Sequence, residues 1–146
     1  MESFFEEPVA LGYINRINKL TPTTKGNWGK MNVSQMLAHC SGAFEENSKR
    51  PNLIMRIKIN IFFRSVVIGE NPYPKNMKTS KKFIVSDNRD WHIEKKRLIK
   101  GIERVQKLGA NYFHHRKHPI FGKMTTLEWS TFFSKHLDHH LTQFGV

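Results

Sequence analysis

Two histidines four residues apart, His136 and His140, stand in the middle of an apolar helical pattern. The pattern is Trp129, Phe132, Phe133, His136, Leu137, His140, Leu141 and Phe144, an i, i+3, i+4 stripe sustained over about four turns. Residues four apart on a helix lie one above the other, so both imidazoles point at one place. Burying two bare imidazoles side by side leaves ring nitrogens without partners, a cost that a divalent cation removes. A His-x-x-x-His pair on one helix face is half of a metal site. The competing reading is two core histidines bonded to backbone or water.

A third ligand has to come from another element. His39 is the best placed, because it follows Met36 by three and precedes Ala43 by four, on the flank of a second apolar stripe. His114, His115 and His118 lie beside Arg116 and Lys117 and read as an exposed basic loop, and His92 follows inward Trp91 and turns away. His139 falls about 100° off the stripe, at its boundary, and Asp138 points to the opposite side. Gln143 faces inward and is placed to bond a ligand histidine from behind. Three neutral ligands, His39, His136 and His140, leave an open position for water, the pattern of a catalytic zinc site rather than a structural one. Such an ion keeps its full charge. It can lower the pKa of a bound water to about 7 for hydrolysis, or bind and deprotonate a thiol. Glu94 is the one acid on an inward seam, between Trp91 and Leu98. It is a candidate general base or a support for a ligand histidine, and the alternative is an ion pair with a neighbouring basic side chain. Cys40, next to His39, reads as a small core residue, with a thiol near the site as the alternative.

These side chains need helices to hold them. Pro8 opens a helix running to about Leu20, striped by Val9, Tyr13, Ile17 and Leu20, and Thr21-Pro22 ends it. Asn32, with Gln35 three residues on, predicts a capped second helix to about Ser48. Residues 52–68 alternate like a strand at Ile57, Ile59 and Ile61, but their length favours a helix, since a lone strand would have no partner. Residues 69–86 form a Pro/Asn/Lys-rich connection, long enough to be functional or a lid. Asp87 or Asn88 caps a helix from Arg89 to Leu108 that Gly109 closes, and residues 110–124 form a second loop. Thr125 and Glu128 make a Thr-x-x-Glu capping box for the last helix, which Gly145 ends. Five helical patterns and no good strand pair predict an all-α bundle over a single domain, residues 1–146.

The bulk composition agrees. A chain of 146 residues suits one domain with its own core. With Cys40 alone there is no intrachain disulfide, which fits a reducing cytoplasm. The first residues are acidic and lack an apolar run, so no signal peptide is expected. The most apolar stretch, Leu53 to Ile68, is broken by Arg56, Lys58 and Arg64 and falls short of the roughly 20 apolar residues of a membrane span. Net charge is +12, and residues 49–107 carry 16 Lys/Arg against five acids. That field attracts nucleic acid, anionic lipid or an anionic substrate. The cations lack the aromatic interleaving of a stacking platform, which favours a solvated face.

Three segments carry a resemblance. Trp28-Gly29-Lys30-Met31-Asn32-Val33-Ser34-Gln35-Met36-Leu37-Ala38-His39-Cys40, His118-Pro119-Ile120-Phe121-Gly122-Lys123-Met124-Thr125 and Lys135-His136-Leu137-Asp138-His139-His140-Leu141-Thr142-Gln143-Phe144-Gly145 resemble a branch of the DinB-like (DinB/YfiT) superfamily of metalloenzymes. The resemblance implies a four-helix bundle of up-down-down-up type, here with an extra short helix and long loops. It implies zinc or nickel on His39, His136 and His140, and a homodimer. Some relatives are thiol transferases that use bacillithiol or mycothiol, so a low-molecular-weight thiol is a further expected cofactor. The reaction itself does not transfer. The expectation is a cytoplasmic metal-dependent thiol S-transferase or hydrolase acting on a small-molecule substrate. The alternatives are a basic nucleic-acid or anion-binding module whose histidines are structural, and a non-catalytic metal-binding stress protein.

Overall fold

Both capping boxes form, and they start the two helices that carry the histidines. The Asn32 side chain accepts from the Gln35 amide at 2.9 Å while Gln35 Oε1 accepts from the Asn32 amide at 3.0 Å. Thr125 Oγ1 accepts from the Glu128 amide at 3.1 Å, and Glu128 Oε2 from the Thr125 amide at 2.7 Å. Each box satisfies two backbone N–H groups that a helix start leaves unpaired.

The computed structural model describes residues 2–45, 50–77 and 84–146. Its elements are α1 (Glu7–Asn18), α2 (Val33–Gly42), α3 (Leu53–Ile68), α4 (Trp91–His115), a short hairpin β1 (Lys117–His118) and β2 (Gly122–Lys123), and α5 (Thr126–Gln143). The chain is thus mostly helical, as expected for an all-α protein. The one β element is an antiparallel pair, Lys117 opposite Lys123 and His118 opposite Gly122. Among the described residues, no helix is long and apolar enough to cross a membrane.

Three boundaries differ from expectation. Asp90, not Asp87 or Asn88, caps α4, accepting from the Ile93 amide at 2.9 Å. Gly109 does not close that helix. It takes φ 74° and ψ 172°, kinks the chain, and α4 resumes to His115. A residue without Cβ adopts that φ at no steric cost. The turn beyond it is retained because Phe113 is buried, stacked on Phe5 at 5.2 Å and edge-on to Phe133 at 5.4 Å. The stretch 110–124 is therefore a helical turn plus a hairpin, not a loop. Finally, α2 stops at Gly42, with Ala43 as its cap, rather than near Ser48, which lies outside the described residues. Phe44 turns into the core there and stacks on Phe133 at 4.9 Å.

The helix α5 packs against each of the other four helices. Its burial therefore spreads around the helix, beyond the apolar stripe. Ser130, Ser134 and Lys135 are buried beside Phe133, Leu137 and Leu141. Each large apolar side chain so placed contributes about 1.5–3 kcal/mol. Ser130 Oγ accepts from the Phe4 amide at 2.8 Å, and the backbone carbonyl of Ser134 accepts from the Tyr13 hydroxyl at 3.3 Å. Lys135 Nζ donates to Val66 O and Gly69 O, both at 2.6 Å, capping α3 at its negative end. In contrast, α3 has no fully buried residue. It is tied to the hairpin by Asn60, which donates to Ile120 O at 2.8 Å, and by Arg64, which donates to Phe121 O at 2.8 Å.

Candidate metal centre

His39 comes from the last turn of α2, and His136 and His140 from successive turns of α5. Their rings converge nearly at right angles. His39 lies 5.0 Å from His136 and 4.8 Å from His140, centroid to centroid, and His136 lies 5.0 Å from His140. One nitrogen of each forms a set within 4.8 Å of one another. Nε2 of His39 and Nε2 of His136 are 3.0 Å apart. Two nitrogens about 2.0–2.1 Å from one ion, at roughly 90–110° to each other, stand about 3.0–3.4 Å apart.

Gln143 fixes His140 from behind. Its amide nitrogen donates to Trp28 O at 2.7 Å, so its oxygen faces His140 Nδ1, at 2.9 Å. Nδ1 must then carry the proton, which leaves the Nε2 lone pair of His140 for the cluster. Gly29 makes this possible. It sits at φ +83°, and a Cβ there would fall 2.5 Å from Gln143 Nε2. His136 Nδ1, by contrast, is buried without a hydrogen-bond partner. Its tautomer is set from the cluster side alone.

The charge states of His136 and His140 favour ligation. Burial pushes His140 down to about 3, His39 adds to the effect, and the bond to Gln143 opposes it. Burial holds His136 well below the ordinary value, with His39, His140 and His139 acting in the same direction. Both imidazoles are therefore neutral near pH 7, the form that binds a cation. The donor set fits a borderline-soft divalent ion: three imidazoles, with no carboxylate or thiol among the grouped ligands.

The other expected residues fall on both sides. His139 is half-buried at the boundary, edge-on to Trp28 at 5.9 Å and 5.5 Å from the Tyr73 ring. Asp138 is exposed and pairs with Arg16 at 2.7 Å. Cys40 is fully buried with Sγ 3.7 Å from Met36 Sδ, and burial pushes its thiol up, so it is a core residue. Glu94 is buried, with Oε1 3.3 Å from Arg89 and Oε2 3.0 Å from Arg97, the ion-pair alternative. Both of its oxygens are occupied by guanidinium groups. The exposed-loop expectation for His118 is wrong, since the residue is 8% exposed. Its ring stacks on Phe121 at 4.9 Å, and Nδ1 accepts from the Ile120 and Phe121 amides at 3.1 and 3.2 Å. His114 and His115, at the end of α4, and His92 are exposed.

Trp28, Gly29 and Tyr73 complete the surroundings of the cluster without having been read as such from their residue types. Positive φ at Gly29 and a carbonyl aimed at Gln143 leave no periodic signal. The Trp28-Gly29 pair itself was the visible cue. No curated protein and no solved structure matches the chain. A family model described as "Protein of unknown function (DUF1569)" matches residues 9–145, and the chain belongs to that family.

Proposed function

We propose that the chain is a metal-dependent enzyme of DinB-like, up-down-down-up four-helix type, in which His39, His136 and His140 hold one zinc or nickel ion. The observation that carries this reading is the convergence of three imidazoles from two helices, with two Nε2 atoms 3.0 Å apart. When bound, such an ion supplies Lewis acidity at the position three ligands leave open, enough to acidify a water or a thiol. The protein's own part is orientation and exclusion. Gln143, anchored on Trp28, keeps the His140 proton on Nδ1. Phe132, stacked parallel to His136 at 6.2 Å, is the apolar wall on that side. Glu94 acts as a structural ion-pair partner in this scheme and not as the base. The reaction class that suits the site is transfer to, or hydrolysis of, a small-molecule substrate, with a low-molecular-weight thiol as co-substrate for the transferase version.

Elemental analysis of the purified protein tests the assignment. About one divalent ion per chain is expected in the wild type. His136→Ala and His140→Ala should each lose it while keeping the helical circular-dichroism signal. Retention of the metal in both variants would put the ligands elsewhere.

A further inference from the structure

Away from the histidines, the end of α2 and the face of α4 flank an open recess of about 450 Å³. That is the size of a small-molecule site, for which roughly 300–1,000 Å³ is usual. Its apolar parts are Phe44 and Ile93, and Gly101 also lines it. A Cβ on Gly101 would lie 2.9 Å from Phe44 Cβ, so the two helices meet there and close the floor. Its polar lining is strongly one-sided. Lys96 and Lys100 stand four apart on α4 with Arg97 beside them and Arg104 one turn on, and all four line the same recess, with Glu45 the one acid of the lining among the described residues.

The four cations are not equivalent. Arg97 donates to Glu45 at 2.7 Å and to Glu94 at 3.0 Å, and Arg104 donates to Phe44 O at the end of α2. These bonds explain both arginines structurally and hold the two guanidinium planes in place. Lys96 and Lys100 have no such explanation. Both are exposed and form no ion pair among the described residues. They stand one turn apart, about 6 Å along the helix axis. Two like charges at that separation repel, and a solvated face alone gives no reason for them to flank a recess with an apolar floor. A second recess of about 400 Å³ opens on the other side of the same two lysines, where Lys95 lies 4.8 Å above the Trp91 ring. The lysines thus form a ridge between two hollows, in the most basic part of a chain of net charge +12.

We infer that the α2–α4 recess binds a phosphate-bearing ligand, whose phosphate is held by Lys96 and Lys100 above the fixed Arg97 and Arg104, and whose apolar part rests on Phe44 and Ile93. The arrangement suits a multiply charged, tetrahedral oxyanion. Ammonium groups on flexible stems supply charge, and pre-positioned guanidinium groups supply directed N–H donors. The source of the phosphate is a soluble metabolite or a lipid headgroup, which share this chemistry.

Calorimetric titration of the full chain with inorganic pyrophosphate at low salt tests the inference. Three proteins are compared: the wild type, K96E/K100E, and K19E/K117E, which carries the same charge change on exposed residues outside the recess. Saturable binding is expected in the wild type, with a loss of about tenfold or more in K96E/K100E and a change of about twofold or less in the control. Co-sedimentation with phosphatidylglycerol vesicles, set against phosphatidylcholine vesicles, separates the two sources. If the headgroup is the ligand, the vesicles bind, pyrophosphate competes them off, and K96E/K100E abolishes both. Failure of pyrophosphate to bind, or equal weakening by the two charge-reversed pairs, overturns the inference. So does binding confined to a DNA duplex that both pairs weaken alike, since that marks a diffuse field rather than a site. Saturable binding that K96E/K100E leaves unchanged also overturns it, since pyrophosphate coordinates a divalent ion at the histidines as well.

Discussion

His118 and His140 are equally buried, each 8% exposed, and burial depresses both, to about 4 and about 3. Their surroundings differ in kind. His118 has its acceptor nitrogen filled by two backbone amides of the hairpin turn and its faces covered by Phe121, Trp129 and Phe132. The fold satisfies that nitrogen with backbone alone. His140 has one nitrogen fixed by Gln143, and its ring faces two more imidazoles. His118 is bonded to backbone; His140, a cation ligand under the proposed function, is fixed on one side and directed at the other two imidazoles. Burial and depressed pKa alone do not separate the two cases, but the direction of the second nitrogen does.

The largest effect that sharpens this contrast is expected from His118→Ala. It orphans two turn amides and opens a gap beneath Trp129, for a loss of about 2–4 kcal/mol in chemical denaturation with metal content unchanged. His118→Asn, which returns an acceptor to the turn, should recover about 1 kcal/mol of that. Loss of metal in a folded His118→Ala protein would break the distinction.

Next is a pH effect. The folded-state pKa of His118 lies below its ordinary value of 6.5, so the unfolded chain binds more protons between those limits. Its contribution is therefore complete above pH 6.5 and is lost as pH falls toward about 4, by at most about 1.4 kcal/mol per pH unit. Denaturation midpoints of wild type and His118→Asn across that range should converge toward the acid end. Parallel curves would mean that His118 is not held neutral by the fold.

The smallest change concerns support rather than ligation. Gln143→Leu leaves the His140 N–H and the Trp28 carbonyl without partners, and metal affinity should fall about 10–100-fold in competition with a chromogenic chelator. An unchanged affinity would show that His140 is oriented without Gln143.

How far the sequence reached follows the same division. His136 and His140 were legible because helical periodicity fixes both at once, and His39 because it flanks a second stripe whose capping box was plain at Asn32. Gln143 followed from the same register. His118 was misread because its environment is tertiary: Trp129 and Phe132 arrive from α5, and the basic neighbours Arg116 and Lys117 suggested exposure. Gly109 was read as a terminator because its left-handed φ usually is one. What sequence could not supply was Phe113 beyond it, whose burial restarts the helix. Residues 52–68 were legible as a helix, but which face meets α5 was not, since apolar side chains occur nearly all round. Ile54, Ile61 and Phe62 remain more than two-thirds exposed.

The turn at residues 27–29 has a consequence in folding time. The Asn27 amide donates to Gln143 O at 2.7 Å, and Gln143 donates to Trp28 O across 115 residues of chain. His39 and His136 meet across 97 residues. Contacts of such separation close after the local helices have formed, because their loop entropy has to be overcome first. A chain in synthesis has α2 complete long before α5 exists, so one ligand waits for the other two. Under the proposed function, the ion is then a latch engaged on an assembled fold rather than a seed around which the helices gather, and its capture serves as a report that the two ends of the described chain have met.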